Sequence, residues 1–186
     1  MNVTKSLAAA VLITAVATSA AAWENPPDHE FTATAIMDTG EGTRQMPVTL
    51  IARSYTSIED VARLETVLAN GGQGALLATL NGMNNGRLRL GALELPVNLV
   101  AAEKLDDGYR YIFVTARRIQ VEEVNSSSPS LHYPFGVAIF ELGDFGPGEG
   151  QVYPAASLHI DDSDNSVIIK EYEGDPGRLE DVEKTR

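Results

Sequence analysis

Apolar and polar residues alternate along most of the chain, and this alternation predicts β-strands. Met46–Arg53 and Leu93–Leu99 carry an apolar side chain at nearly every second position, which is typical of strands with one buried face. Tyr109–Ala116 is apolar on both faces and predicts a central strand that is covered on each side. The other predicted strands are Phe31–Met37, Arg87–Leu90, Ile119–Val124, Phe135–Leu142, Val152–Ile160, Val167–Tyr172 and a short Leu179–Val182.

Short turn-forming segments separate these strands and predict antiparallel hairpins. Asp38–Thr43 and Asp106–Gly108 each lie between two predicted strands, and both contain the Asp and Gly residues that tight turns favour. At Gly91-Ala92 the alternation of apolar and polar positions shifts by one residue, which predicts a bulge or a tight turn. The tail from Gly174 is expected to fray after its short strand.

One segment has the periodicity of a helix. Ser57 can cap its N-terminus, and Ile58, Val61, Leu64 and Leu68 follow at spacings of three and four. Asn70-Gly71-Gly72 is expected to end this helix near residue 70. Residues 73–80 fit either a second short helix or a buried strand.

These elements predict an α+β fold of mostly antiparallel strands. The expected architecture is a barrel or a sandwich, with one amphipathic helix (about residues 57–70) covering a face or an end. Because several strands are apolar on both faces, either a sandwich core with a covering helix or a barrel with an apolar ligand cavity would fit. No repeat or linker divides residues 23–186, which are expected to form a single domain with a frayed C-terminal tail.

The N-terminal segment has the pattern of a signal peptide. Lys5 precedes an apolar run, and Ala20-Ala21-Ala22 offers small residues for cleavage before Trp23. Residues 1–22 are therefore predicted to direct export to the bacterial periplasm or outside the cell. After cleavage, no integral membrane segment is expected, because no second apolar run approaches spanning length.

Composition narrows the classes of partner and chemistry. The chain has 26 acidic and 14 basic residues, for a net charge of −12. Such a surface repels phosphate backbones, so nucleic acid is not an expected partner. The chain has no cysteine, which excludes disulfides, thiolate metal sites and cysteine nucleophiles.

The acidic run Asp161–Asn165 is the candidate metal site. Asp161, Asp162 and Asp164 could supply oxygen ligands to Ca²⁺. The run lacks the glycine and glutamate that an EF-hand loop requires, since Ser166 and Tyr172 stand at those positions. The alternative is a solvated hairpin turn, for which Asp and Asn are suited. Calcium is the only cofactor suggested.

No catalytic residues are predicted. The three histidines, His29, His132 and His159, are far apart in sequence and form no HExxH pair, so surface positions are expected for them. No GxSxG motif surrounds a serine. The acidic pairs Glu122-Glu123 and Glu141 with Asp144 are expected by chance in so acidic a chain.

The leading hypothesis is therefore a non-catalytic binding or interaction module for an unknown small-molecule or protein ligand. One alternative is a hydrolase whose carboxylates or metal ligands assemble from distant residues. Another is a calcium-stabilised structural protein. Convergence of the histidines and the Asp161 run in one pocket would favour the hydrolase, and a filled barrel interior would remove the ligand cavity inside the barrel.

Overall fold

The computed structural model of the chain describes residues 10–11, 28–39, 42–119, 132–161, 166–171 and 176–186. The predicted signal peptide lies outside the described residues, apart from its two-residue strand β1. The strands are β1 (Ala10–Val11), β2 (His29–Thr39), β3 (Gly42–Ala52), β4 (Gly86–Leu90), β5 (Leu93–Val97), β6 (Leu99–Leu105), β7 (Gly108–Thr115), β8 (Phe135–Gly143), β9 (Gly148–Ile160), β10 (Val167–Glu171) and β11 (Gly177–Lys184), and the helix is α1 (Ile58–Leu80).

The strands form one antiparallel sheet that curls into a nearly closed barrel. Its order is β5-β4-β3-β2-β11-β9-β8-β7-β6. The long strand β9 has two successive neighbours on one edge, first β11 and then β10, while β8 pairs along its other edge. β1 pairs with the far edge of β10. The predicted α+β class, with mostly antiparallel strands in a barrel and one helix among the described residues, is confirmed.

A single residue joins the two edge strands of the barrel. Asn98 connects β5 to β6 and is buried. Its Nδ2 donates to the carbonyls of Leu80 (3.0 Å) and Met83 (2.8 Å), and its Oδ1 accepts from the backbone N–H of Ala116 at 2.7 Å. Beside it, the backbone N–H of Thr56 donates to the carbonyl of Val100 at 2.7 Å. These bonds satisfy the polar groups where the sheet closes on itself.

Side chains from all nine strands of this sheet path fill the barrel interior. Phe31, Phe113 and Phe140 are fully buried there, with Phe31 and Phe140 ring centroids 5.0 Å apart. Tyr111 stacks on Phe140 at 5.2 Å, within the range of favourable aromatic pairs. The interior is therefore a packed core, and the alternative of an apolar ligand cavity inside the barrel is wrong.

The helix covers the outer face of the sheet. Ser57 caps α1 by accepting from the N–H of Asp60 at 3.1 Å, as predicted. Leu64, Leu68, Leu76 and Leu80 pack against the outer side of β7, β8, β9 and β10. This second apolar layer explains why β7 is apolar on both faces.

The predicted end of the first helical segment near residue 70 coincides with a break at Gly72, and a second segment runs from there to Leu80. Gly72 has φ 66° and ψ −168°, non-helical values that kink α1 and separate its two segments. After the kink, Gln73 Oε1 accepts from the backbone N–H of Leu158 at 3.3 Å. This bond and the burial of Leu76 and Leu80 hold residues 73–80 on the sheet as a helix, the first of the two predicted alternatives.

The expected fraying of the C-terminal tail is wrong. β11 extends to Lys184 and lies between β2 and β9 in the middle of the sheet. The backbone N–H of Thr185 still donates to the carbonyl of Glu30 at 2.8 Å. β11 contains a bulge at Asp181, whose φ is 54°. Two fully buried side chains, Leu179 and Val182, anchor this otherwise charged strand in the core.

Candidate functional site

A cleft lies between α1 and the outer face of the sheet. It encloses about 70 Å³. The helix contributes the apolar side chains of Val61, Leu64 and Leu68 from before the kink, and Leu76 and Leu80 from after it. Its floor is formed by apolar side chains of β6 to β10. The space is an incompletely filled part of the second apolar layer.

The cleft follows from the shape of the helix and the sequence of the strands. Outward-facing Val114, Val137 and Leu158 come from three neighbouring strands and form an apolar floor. Leucines on both sides of the kink at Gly72 pack over this floor.

Glu65 is the one ionisable side chain that lines the cleft. It follows Leu64 on α1 and is half-buried. Burial raises the pKa of its carboxyl group, because an apolar surrounding disfavours the charged form. The exposed walls of the cleft are thus almost entirely hydrocarbon, as expected of a site for a mostly apolar small molecule, and Glu65 borders them.

A shallow depression on the same face of the sheet shares Ile139 with the cleft. Arg110 of β7 lies in it, and its guanidinium pairs with Glu141 (2.6 Å) and Glu103 (3.1 Å). Glu149 stands directly opposite Glu141 in the β8–β9 register. Glu141, one of the carboxylates considered for acid–base chemistry with Asp144, is therefore engaged in a cross-strand ion pair.

Of the candidate calcium ligands, only Asp161 belongs to the described residues. Its backbone N–H donates to the carbonyl of Ser166 at 2.8 Å and closes the β9–β10 hairpin. Asp162 and Asp164 lie outside the described residues, so calcium binding at this turn stays a prediction. Within the described ranges, no three His, Asp or Glu side chains meet in a group that could hold a metal ion.

The structure separates the histidines. His29 is 7% exposed, so the expected surface position is wrong for it. Its Nδ1 lies 2.7 Å from the Tyr55 hydroxyl beside the aromatic core, and burial, with Lys184 nearby, lowers its pKa. His132 is exposed before β8, and His159 is exposed near the end of β9.

A serine–histidine pair is present on β9 but is not arranged for nucleophilic attack. Ser157 Oγ lies 3.0 Å from His159 Nε2, and Ser157 is only 2% exposed. Burial and the nearby Lys170 lower the pKa of His159. A triad instead places a carboxylate beside the histidine to orient it and stabilise its charged form.

Sequence reasoning missed Glu65 and the cleft that it borders. Glu65 is one of the 26 acidic residues of the chain, and it lies on a helix that has a polar face. Its position directly after Leu64, on the border of the apolar stripe, was the available signal.

Among the described residues, no helix combines the length and apolar character that a bilayer crossing needs. Comparison with protein-family models, with curated proteins and with solved structures finds no match to this chain.

Proposed function

We propose that this protein is a non-catalytic module that binds a small apolar molecule in the cleft between α1 and the sheet. The observation that carries this proposal is the lining of the cleft, whose exposed surface is almost entirely hydrocarbon, with Glu65 at its border. Such walls can bury an apolar group, whereas nucleophilic or metal-assisted chemistry needs reactive groups aimed at the ligand. The N-terminal signal pattern supports action in the bacterial periplasm or outside the cell.

The size of the cleft sets the size of the ligand. An engineered cavity of roughly 150 Å³ in another protein holds benzene, and this cleft is about half as large at 70 Å³. A short alkyl chain suits this space better than a ring system.

Binding of hexanol, observed through the methyl NMR signals of the protein, tests the proposal. We expect saturable shifts confined to the methyl groups that line the cleft, such as those of Leu64, Leu68 and Val137. The variant Val137→Ile adds one carbon to the cleft and should weaken hexanol binding several-fold.

Val152→Ile is the matched control, since Val152 is buried in the filled barrel interior. It should leave hexanol affinity unchanged while costing about 1–3 kcal/mol of stability through overpacking. Hexanol shifts spread over the barrel interior, or no shifts at all, would overturn the proposed function.

A further inference from the structure

Among the described residues, no cation lies beside the Glu65 carboxylate. Within the described part of the chain it makes neither an ion pair nor a hydrogen bond. The nearest basic residue along the helix, Arg63, is held by Asp60 at 2.8 Å. A half-buried carboxylate without a partner loses hydration that nothing in the protein replaces.

The sheet side of the cleft is acidic as well. In the depression that shares Ile139, Arg110 is bound by both Glu103 and Glu141. Glu149 adds a further carboxylate opposite Glu141. Carboxylates therefore outnumber the one arginine at this depression, and the net charge of the whole chain, −12, is also negative. An anionic ligand would meet repulsion at either border of the cleft.

We infer that the ligand is a small primary amine whose alkyl chain lies in the cleft and whose ammonium contacts the Glu65 carboxylate. This inference rests on the proposed function, because the alkyl chain occupies the same cleft. Alkylamines resemble the lysine side chain and are protonated at neutral pH. The ammonium would give Glu65 the opposite charge that the protein does not supply, and its three N–H groups would donate to the carboxylate oxygens.

Three probes with the same six-carbon alkyl chain and different head groups separate the contribution of the head group from that of the alkyl chain. Hexylamine, hexanol and hexanoate are each titrated into the full-length protein at neutral pH, and the methyl NMR signals of the cleft residues report binding. We expect hexylamine to bind about fivefold more tightly than hexanol, the upper end of the effect measured for partly exposed ion pairs. Hexanoate should bind more weakly than hexanol.

Two variants assign the preference to Glu65. Glu65→Gln keeps the shape of the side chain and removes its charge, so hexylamine affinity should fall to that of hexanol. Glu59→Gln removes the same charge from an exposed position in the first turn of α1 and should leave the amine preference intact.

The outcomes distinguish the two proposals. If hexanol binds in the cleft but hexylamine binds no better, or if the amine preference survives Glu65→Gln, the amine inference is overturned and the proposed function stands. If none of the three probes shifts the cleft methyl signals, both are overturned. Circular dichroism and the melting midpoint show whether each variant is folded before binding is compared.

Discussion

The kink in α1 predicts opposite effects for the same substitution at two glycines. Gly72 has φ 66° and ψ −168°, a backbone conformation that is essentially confined to glycine. Gly74 lies two residues later, in the second half of the helix. A Cβ added at either position would meet no atom within 4 Å. Steric contact is therefore the same for the two substitutions, and only backbone conformation differs.

We expect Gly72→Ala to lower the free energy of unfolding by about 1–3 kcal/mol, the cost of forcing a residue with a side chain into this conformation. Relief of that strain by straightening the helix would move Gln73 away from Leu158 and lift Leu76 or Leu68 from the sheet. Gly74→Ala should instead raise the free energy of unfolding by about 0.5–1 kcal/mol, since alanine is favoured over glycine inside a helix.

Urea unfolding followed by far-UV circular dichroism measures both effects. The two variants should differ by about 1.5–4 kcal/mol, with the dependence on urea unchanged from the parent protein. Equal shifts for the two variants, or a stabilising Gly72→Ala, would refute the reasoning. A stabilising Gly72→Ala would mean that residues 58–80 form one straight helix, in which case the cleft would have a different shape.

Two further predictions concern buried polar groups. Asn98→Ala removes the side-chain bonds to the Met83 carbonyl and the Ala116 N–H, and leaves the Leu80 carbonyl only its bond from the Met83 N–H. It should cost about 3 kcal/mol or more in urea unfolding, and a loss below about 1 kcal/mol would contradict the closing role of Asn98. Burial holds the pKa of His29 below its ordinary value of 6.5, so the unfolded chain takes up the proton first and stability should fall as the pH drops through 6.5. His159 contributes with the same sign. His29→Gln should therefore make the urea midpoint less dependent on pH between 7.5 and 5.5, and an unchanged dependence would contradict this assignment.

Local patterns in the sequence were enough to predict much of the fold. The capping serine and the apolar spacing located the start of α1, because both act within one or two turns. The Asp106–Gly108 turn predicted the β6–β7 hairpin for the same reason. The two apolar faces of β7 correctly indicated a strand covered on both sides.

Features that depend on distant parts of the chain were not predicted. Gly71-Gly72 correctly indicated a break in the helix, but the choice between helix and strand for residues 73–80 depended on contacts with β9. The sequence of β11 resembles a charged tail, because only Leu179 and Val182 are apolar residues that face the core. Its position in the middle of the sheet follows from its pairing with β2 and β9, which are distant in sequence. The cleft depends on how a kinked helix packs on a sheet, which no local pattern encodes.

The central place of β11 has a consequence for the order of folding. β2 pairs with β3 in a hairpin near the start of the described barrel. The other edge of β2 pairs with β11, which lies far downstream in the sequence and places Lys184 opposite Phe31. Until β11 arrives, β2 and the first half of β9 both present unpaired backbone groups that can pair with another chain. Such long-range pairing is slow to form. The strand with the most charged sequence therefore covers the exposed edges of β2 and of the first half of β9, and its charges keep it soluble until it does so.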